Sequence, residues 1–212
     1  MKAVIIAGGQ MPSRDIVKEE VKDAEYIICA DRGAEAAYKY GIEPNDIIGD
    51  FDSIDKSILQ SFKDRNVSII KFPVEKDDTD TSIAVEEVLK RKADEVVLLG
   101  ATGTRMDHVL GNVGLLVKFL EHNVKCYIRD NNNIILLTDK NITLKYRGYK
   151  YFSLLSYGET VKGLTIQGGK YPLNNYELKL GDPLAVSNEF LLDEVVNVKF
   201  KNGLLLIVES RD

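Results

Sequence analysis

The sequence predicts an α/β fold: a doubly wound, mostly parallel sheet with helices on both faces, followed by a smaller all-β sandwich domain. Up to about residue 130, short β-branched runs alternate with longer segments of helical periodicity, as in β–α–β crossovers. After the three asparagines at 131–133 that periodicity vanishes, and short alternating runs follow, separated by glycine, asparagine and proline. We therefore expect two domains, 1–135 and 136–212, with a boundary between 131 and 148.

The first domain is predicted to alternate strands with helices. Its strand candidates are runs rich in valine and isoleucine, at 3–7, 26–30, 47–49, 68–72, 96–100 and 125–128. Its helix candidates repeat apolar residues every three or four positions, at 13–21, 34–40, 57–63, 81–90 and 107–121. Apolar strands joined by helices imply a parallel sheet that is covered on both faces.

The second domain is predicted to be antiparallel. Its strand candidates alternate apolar and polar residues, at 134–138, 142–145, 151–156, 164–167, 176–180, 195–200 and 204–208. Turn residues such as Gly158 and Asn202 separate them, which is typical of hairpins in a sandwich. Three adjacent polar residues at 187–189 interrupt an apolar passage and predict a turn.

Composition excludes several classes of function. The chain has 212 residues, 44% of them hydrophobic, so it can bury one sizeable core or two small ones. A net charge of -5 provides no basic surface for a nucleic-acid backbone, and we expect no such partner. Cys29 and Cys126 lack the spacing of a zinc site or a disulfide framework and are interpreted as reduced thiols. No apolar stretch suits a signal peptide or a membrane span, which predicts a cytoplasmic protein with no membrane partner.

Two aspartates follow the third predicted strand. Asp50 and Asp52 are one residue apart, and in an extended chain such side chains project in the same direction. Mg²⁺ typically takes one or two carboxylates and completes its shell with water and substrate phosphates. The alternative is structural, because Asp52 or Ser53 could cap the helix that follows.

A second acidic segment precedes the fourth predicted helix. We expect Asp78 or Thr79 to cap that helix, because a side-chain oxygen there accepts from free N–H groups of the first turn. Capping does not need so many carboxylates, so Asp77 and Asp80 are assigned to function. Lys76 is placed to contact a phosphate.

The turns after the other strands suit a phosphate ligand. Thr102 and Gly103 form a tight strand-to-helix turn whose N–H groups can cradle phosphate, and Arg105 offers a forked cation. Asp107 enters the first turn of the next helix. The turns after the first two strands, which contain Gly8 and Gly9 and then Asp31 and Gly33, lie on the same predicted edge. Each is individually an ordinary loop, but together they outline a nucleotide cleft.

These motifs, at 31–34, 49–53, 76–80, 103–108 and 187–189, occur in the order and spacing of thiamin pyrophosphokinase, and the chain resembles that family over almost its whole length. The resemblance implies transfer of the terminal pyrophosphate of ATP to the hydroxyethyl group of thiamin, giving thiamin diphosphate and AMP. It also implies a homodimer with thiamin bound near the subunit interface. Thr104 departs from the family, which often has glycine there.

The resemblance further implies roles for single residues. Asp50, Asp52 and Asp80 would hold Mg²⁺, and Arg105 would neutralise charge on the transferring group. Asp107 would orient or deprotonate the attacking hydroxyl, with Asp80 as the other candidate. The residues implied in thiamin binding are Asp80, Asp107, Ser187 and Asn188. Those implied in ATP binding are Gly8, Gly9, Asp31, Gly33, Asp52, Ser53, Lys76, Thr102, Gly103 and Arg105.

Two other functions fit the residues alone. A Mg²⁺-dependent nucleotidyl- or glycosyltransferase would use Asp50 and Asp52 to hold a sugar-nucleotide diphosphate. A non-catalytic nucleotide sensor would bind ATP without turnover and use the β domain to bind a partner.

Overall fold

The structure is a computed structural model that describes residues 1–52, 54–72, 78–191 and 194–212. The chain divides into two compact units, Met1–Asn131 and Asn132–Asp212. The predicted boundary after residue 135 falls inside a strand of the second unit, Asn133–Thr138, because that strand already starts at the last residue of the asparagine run. None of the helices in the described ranges is long and apolar enough to cross a lipid bilayer.

The described part of the first unit alternates strands and helices as predicted, and each predicted bound lies within one residue of the observed one. The strands are β1 (Lys2–Ile6), β2 (Tyr26–Ala30), β3 (Asp46–Gly49), β4 (Ser68–Lys71), β5 (Glu95–Leu99) and β6 (Lys125–Arg129). The helices are α1 (Arg14–Val21), α2 (Gly33–Tyr40), α3 (Lys56–Asp64), α4 (Asp80–Lys90) and α5 (Met106–Glu121).

The strands of this unit form a parallel sheet in the order β6-β5-β1-β2-β3-β4. The chain moves outward from β1 to β4 and then returns to place β5 on the other side of β1. Because crossovers between parallel strands are right-handed, this reversal puts α1 to α3 on one face and α4 and α5 on the other. Direct contacts between α2 and α3, and between α4 and α5, agree with that division. The predicted doubly wound fold is confirmed.

The core of the first unit is built from small and branched side chains. On the α1–α3 face, Val17, Ala34 and Phe62 are fully buried against strand residues such as Val4 and Ile47. Burial of this apolar surface is the main driving force for the packing of helices on the sheet.

The second unit is all β. Its strands are β7 (Asn133–Thr138), β8 (Ile142–Leu144), β9 (Tyr151–Ser156), β10 (Val161–Gln167), β11 (Leu173–Leu178), β12 (Asn188–Glu189), β13 (Val196–Lys199) and β14 (Leu205–Ser210). They pair antiparallel in the orders β12-β9-β14-β7 and β11-β10-β13-β8. One buried cluster draws Phe152 and Ile207 from the first set and Leu164 and Val198 from the second, which confirms the predicted all-β unit.

One predicted turn in this unit is wrong. Asn188 and Glu189 form β12, which pairs antiparallel with β9 opposite Phe152 and Tyr151. Polar residues suggested a turn, but Asn188 is buried with its side chain hydrogen-bonded to backbone. Buried polar groups are tolerated when they have partners, so polarity alone did not place this segment at the surface.

Candidate active site

The predicted ATP-binding turns of the first unit lie at one edge of its sheet, here called the rim: the carboxyl ends of β1 to β5 and the turns that follow them. All these strands are parallel, so their carboxyl ends share that edge. The turns contain Gly9 after β1, Asp31 after β2, Asp50 after β3 and Arg105 after β5. Ligands of open α/β sheets bind at this edge, beside the strand where the order reverses. Ser53, Lys76 and Asp77 are predicted for the same edge but lie outside the described residues.

Two of these turns are joined where the strand order reverses. The N–H of Gly9 donates to the carbonyl of Gly100 at 2.7 Å, and the N–H of Gln10 donates to the carbonyl of Thr102 at 2.7 Å. A Cβ on Gly9 would lie 2.4 Å from the Thr102 oxygen, so no other residue fits there without moving backbone. The turns after β1 and β5 therefore form one rigid unit, and Gly9 has a packing reason as well as its predicted contact with ATP.

The turn after β2 is similarly close to β1. A Cβ on Gly33 would lie 2.0 Å from the carbonyl oxygen of Ile6, and one on Gly8 would lie 3.1 Å from the Cβ of Arg32. Asp31 has a left-handed backbone with φ of 46°, and its N–H donates to a β3 carbonyl. Packing explains the two glycines, and their contacts with ATP stay predictions.

The Asp50–Asp52 turn contains an unusual backbone conformation. Phe51 has a φ of 64°, a left-handed conformation that costs a bulky residue roughly 1–2 kcal/mol. Its ring packs at the edge of the buried cluster of the first unit. The N–H of Asp52 donates to Oδ1 of Asp50 at 3.0 Å, which closes the turn. Backbone strain of this kind is concentrated at functional sites, where the surrounding structure maintains it.

Helix capping does not explain Asp52. The N-cap of α3 is Asp55, whose carboxylate accepts from the N–H and the hydroxyl of Ser57, each at 2.8 Å. The proposal that Asp52 caps this helix is therefore wrong, and the same proposal for Ser53 falls on a residue outside the described part. This result removes helix capping as an explanation for Asp52, and its predicted functional role stays a prediction.

The carboxylates of Asp50 and Asp52 could supply some of the ligands of a Mg²⁺ ion. Asp50 and Asp52 lie in one turn at the rim and carry the oxygen ligands that this ion prefers. The described residues contain no group of three or more Asp, Glu, His or Cys side chains close enough together to hold a metal. A pair of carboxylates is enough for Mg²⁺ when water and phosphates complete its shell. The part assigned to Asp80 in metal binding stays a prediction.

The polar residues at the start of α4 include the cap of that helix. Thr79 is the N-cap, its Oγ1 accepting from the N–H of Ser82 at 3.1 Å, and Asp78 accepts from the Ser82 hydroxyl at 2.9 Å. The prediction that Asp78 or Thr79 caps this helix is confirmed, with Thr79 as the cap. Asp80 is the first residue of the helix, where a carboxylate is stabilised by the positive end of the helix dipole.

Arg105 and Asp107 are paired at the start of α5. Nη2 and Nε of Arg105 donate to the two carboxylate oxygens of Asp107 at 2.5 and 3.3 Å, and both side chains are largely exposed. These hydrogen bonds lower the pKa of the Asp107 carboxyl below its ordinary value. A carboxylate held in this way is a weaker proton acceptor than one without such a partner.

Sequence reasoning missed one residue that contacts the rim. Asn112, in the second turn of α5, donates from Nδ2 to the carbonyl of Ala101 at 2.8 Å. It is a polar residue within an otherwise apolar part of the helix, and that interruption is the pattern that could have revealed it.

In the second unit, the two residues that are predicted to bind thiamin differ in exposure and in how many of their hydrogen-bonding groups are already used. Ser187 is exposed and has a left-handed φ of 57°. Asn188 is 3% exposed, and its amide accepts from the N–H groups of Tyr171 and Glu189 and donates to the carbonyl of Tyr171. Those bonds use both acceptor positions and one of its two donor hydrogens. The geometry gives Asn188 a structural role, and its contact with thiamin stays a prediction.

Comparisons with known proteins agree with the architecture. Residues 17–128 match the family profile "Thiamin pyrophosphokinase, catalytic domain", and residues 139–205 match "Thiamin pyrophosphokinase, vitamin B1 binding domain". A thiamine pyrophosphokinase of Bacillus subtilis is 32% identical over 215 residues, with all of both chains covered.

Solved structures give the same result. A crystal structure of thiamine pyrophosphokinase from Bacillus subtilis superposes with a TM-score of 0.90 at 30% identity and full coverage of both chains. A thiamin pyrophosphokinase from Geobacillus thermodenitrificans gives 0.88 at 30% identity, with 100% of this chain and 98% of that chain covered. The chain therefore belongs to the thiamin pyrophosphokinase family.

Proposed function

We propose that the rim binds ATP and catalyses the reaction of its family, the transfer of pyrophosphate from ATP to the hydroxyethyl group of thiamin. The observation that carries this proposal is similarity over the full chain, with both a catalytic and a vitamin B1 binding profile matched in order. The reaction needs alignment of hydroxyl, phosphorus and leaving AMP, together with cations that offset charge, and little covalent participation by the protein.

Backbone and cationic groups would hold the triphosphate. The turn containing Thr102 and Gly103 precedes α5, where N–H groups and the positive helix end favour phosphate oxygens. Arg105 follows and carries a planar fork that matches two such oxygens. Its present partner is the Asp107 carboxylate, so bound phosphate would compete for an arginine that already holds an anion.

Asp50 and Asp52 would hold Mg²⁺, with Asp80 as a further ligand. When bound, the ion would offset the charge of the β- and γ-phosphates and fix their orientation. The strained backbone at Phe51 supports this assignment, because it holds the two aspartates in one tight turn. The test is removal of the ion: excess chelator should abolish turnover and excess Mg²⁺ restore it, and full activity under chelator would refute the assignment.

Asp107 or Asp80 would accept the proton of the thiamin hydroxyl. Movement of Arg105 onto phosphate would release Asp107 and let the pKa of its carboxyl rise toward the ordinary value, so that ATP binding would prepare the base. Comparison of Asp107→Asn with Asp80→Asn tests the two roles. The variant lacking the base should lose kcat about a hundredfold or more and lose the acidic limb of its pH–rate profile.

Thiamin carries a permanent positive charge on its thiazolium ring, which the rim carboxylates attract. We assign its pyrimidine to Ser187 and Asn188, in a homodimer with the thiamin site near the subunit interface. We also propose that the protein is cytoplasmic. Light scattering measures the oligomeric state, and a monomer with full activity would refute the dimeric site. Ser187→Ala should raise the KM for thiamin and leave the KM for ATP unchanged.

Product analysis tests the reaction as a whole. Incubation with ATP, Mg²⁺ and thiamin should yield equal amounts of thiamin diphosphate and AMP. Formation of ADP, or of free pyrophosphate from a nucleotidyl transfer, would overturn the proposal. ATP binding without any thiamin-dependent turnover would indicate a nucleotide sensor instead.

A further inference from the structure

We propose that Asn112 is a positioning residue for the phosphates of ATP. It acts through the turn between β5 and α5 and does not itself touch the nucleotide. The inference rests on the proposed ATP site and adds to it a residue that holds the turn in its binding conformation. The observation is the hydrogen bond from Nδ2 of Asn112 to the carbonyl of Ala101 at 2.8 Å.

This bond is one of three hydrogen bonds to consecutive backbone carbonyls of the turn. The carbonyl of Gly100 accepts from the N–H of Gly9, and the carbonyl of Thr102 accepts from the N–H of Gln10, both at 2.7 Å. Ala101 lies between them and is 2% exposed, and its carbonyl is bonded by the Asn112 side chain. Three consecutive carbonyls of the turn are therefore fixed, two by a neighbouring turn and one by a helix side chain.

Fixing a carbonyl also fixes the next N–H. A trans peptide unit is planar, and its C=O and N–H point in opposite directions. The Ala101 carbonyl points to Asn112 on α5, so the Thr102 N–H points away from α5. The carbonyls of Gly100 and Thr102 point to the turn after β1, so the N–H groups of Ala101 and Gly103 point away from that turn. Within the described part of the chain, the N–H groups of Thr102 and Gly103 donate to no protein acceptor. They are available to an anionic ligand, and donors oriented in advance need no rearrangement when the ligand arrives.

Asn112 holds the carbonyl of Ala101, the middle one of the three. Its loss would leave the Ala101 carbonyl buried without its donor, and the peptide between Ala101 and Thr102 could then rotate. Rotation would turn the carbonyl toward the phosphate position and the Thr102 N–H away from it. An oxygen of partial negative charge would face the triphosphate in place of a donor, which weakens ATP binding without altering the thiamin contacts.

Steady-state kinetics of Asn112→Ala in the full chain test this inference. We expect the KM for ATP to rise about tenfold, the equivalent of one lost hydrogen bond, while the KM for thiamin changes less than about twofold. The isosteric Asn112→Asp keeps the shape but replaces the donor with a carboxylate, and it should raise the KM for ATP at least as much. Wild type assayed in parallel for thiamin-dependent AMP formation reports separately on the proposed function.

Asn45 provides a matched control. Its side chain also bonds a backbone group, accepting from the N–H of Ile27 at 2.7 Å, but it precedes β3 at the opposite edge of the sheet. Asn45→Ala should lose stability without changing the KM for ATP. If Asn112→Ala and Asn112→Asp lose only stability, like the control, the inference is wrong.

A measurement on the unmodified protein keeps the inference testable if both variants fail to fold. Amide hydrogen exchange should slow at Thr102 and Gly103 when a non-hydrolysable ATP analogue and Mg²⁺ are added. Exchange at those amides that does not respond to a bound analogue would overturn the inference, because the N–H groups would then not face the phosphates.

Discussion

Replacement of Glu20 should destabilise the first unit strongly. Its carboxylate is 3% exposed and accepts from Nζ of Lys2 at 3.0 Å, from the hydroxyl of Tyr127 at 2.9 Å and from Arg129. These partners belong to β1 and β6, so one α1 side chain joins two strands. Glu20→Ala removes the buried anion and leaves the partly buried cations Lys2 and Arg129 without it. Loss of one partner of a buried ion pair costs about 3–5 kcal/mol.

The neighbouring Glu19 makes the control. It also bonds Arg129, at 3.0 Å, but its side chain is 66% exposed. An exposed ion pair contributes less than about 1 kcal/mol, so Glu19→Ala should be nearly neutral. Urea unfolding of wild type and both variants measures the difference. A Glu20→Ala loss no larger than that of Glu19→Ala would refute the reasoning.

The same carboxylate makes stability depend on pH. Burial raises the pKa of Glu20, but hydrogen bonds from Arg129, Lys2 and Tyr127 outweigh it, and the net pKa lies below the ordinary 4.5. A carboxyl with a lowered folded pKa binds protons more readily when unfolded, so its contribution is complete above pH 4.5 and is lost as pH falls through the folded value. Glu20→Gln should therefore show a shallower loss of stability in acid than wild type.

Two further substitutions test the rim. Gly33→Ala would place a Cβ 2.0 Å from a β1 carbonyl oxygen, and urea unfolding should show a loss of about 2–3 kcal/mol. Gly111→Ala is the control, because its Cβ would meet nothing within 4 Å inside α5. It should be neutral or stabilising by up to about 1 kcal/mol. An equal effect of the two would contradict the close approach of α2 to β1. Asp52→Asn should lower kcat/KM for AMP formation about a hundredfold or more. The control Asp55→Asn keeps a capping side chain and should retain activity. Equal loss of activity in both variants would contradict a specific catalytic role for Asp52.

The secondary structure of the first unit could be predicted closely from the sequence because the pattern of nearby residues determines each strand and helix. Each buried strand is a short β-branched run and each helix has one apolar face, so periodicity alone separates them. Parallel pairing then places every strand-end turn at one edge, and for that reason the sequence alone was enough to assign Asp50 and Arg105 to the same rim.

What the sequence could not provide depends on contacts between distant residues. Asn188 is polar yet buried, because the backbone of Tyr171 supplies its partners. Several residues near α3 could cap it, and the sequence pattern did not show that Asp55 does so. Asn112 meets Ala101 only once α5 folds back against the turn. Local patterns describe each segment but not the neighbour that it will meet.

The reversal of strand order also determines when the sheet of the first unit can be completed during translation. β1 leaves the ribosome well before its neighbour β5, which follows only after most of the first unit has been made. Until then, one side of β1 is an unpaired edge, the kind of surface that recruits other chains. A nascent chain that pauses after α4 therefore lacks the last strand end of the rim and is open to aggregation, and docking of β5 ends the exposure of β1.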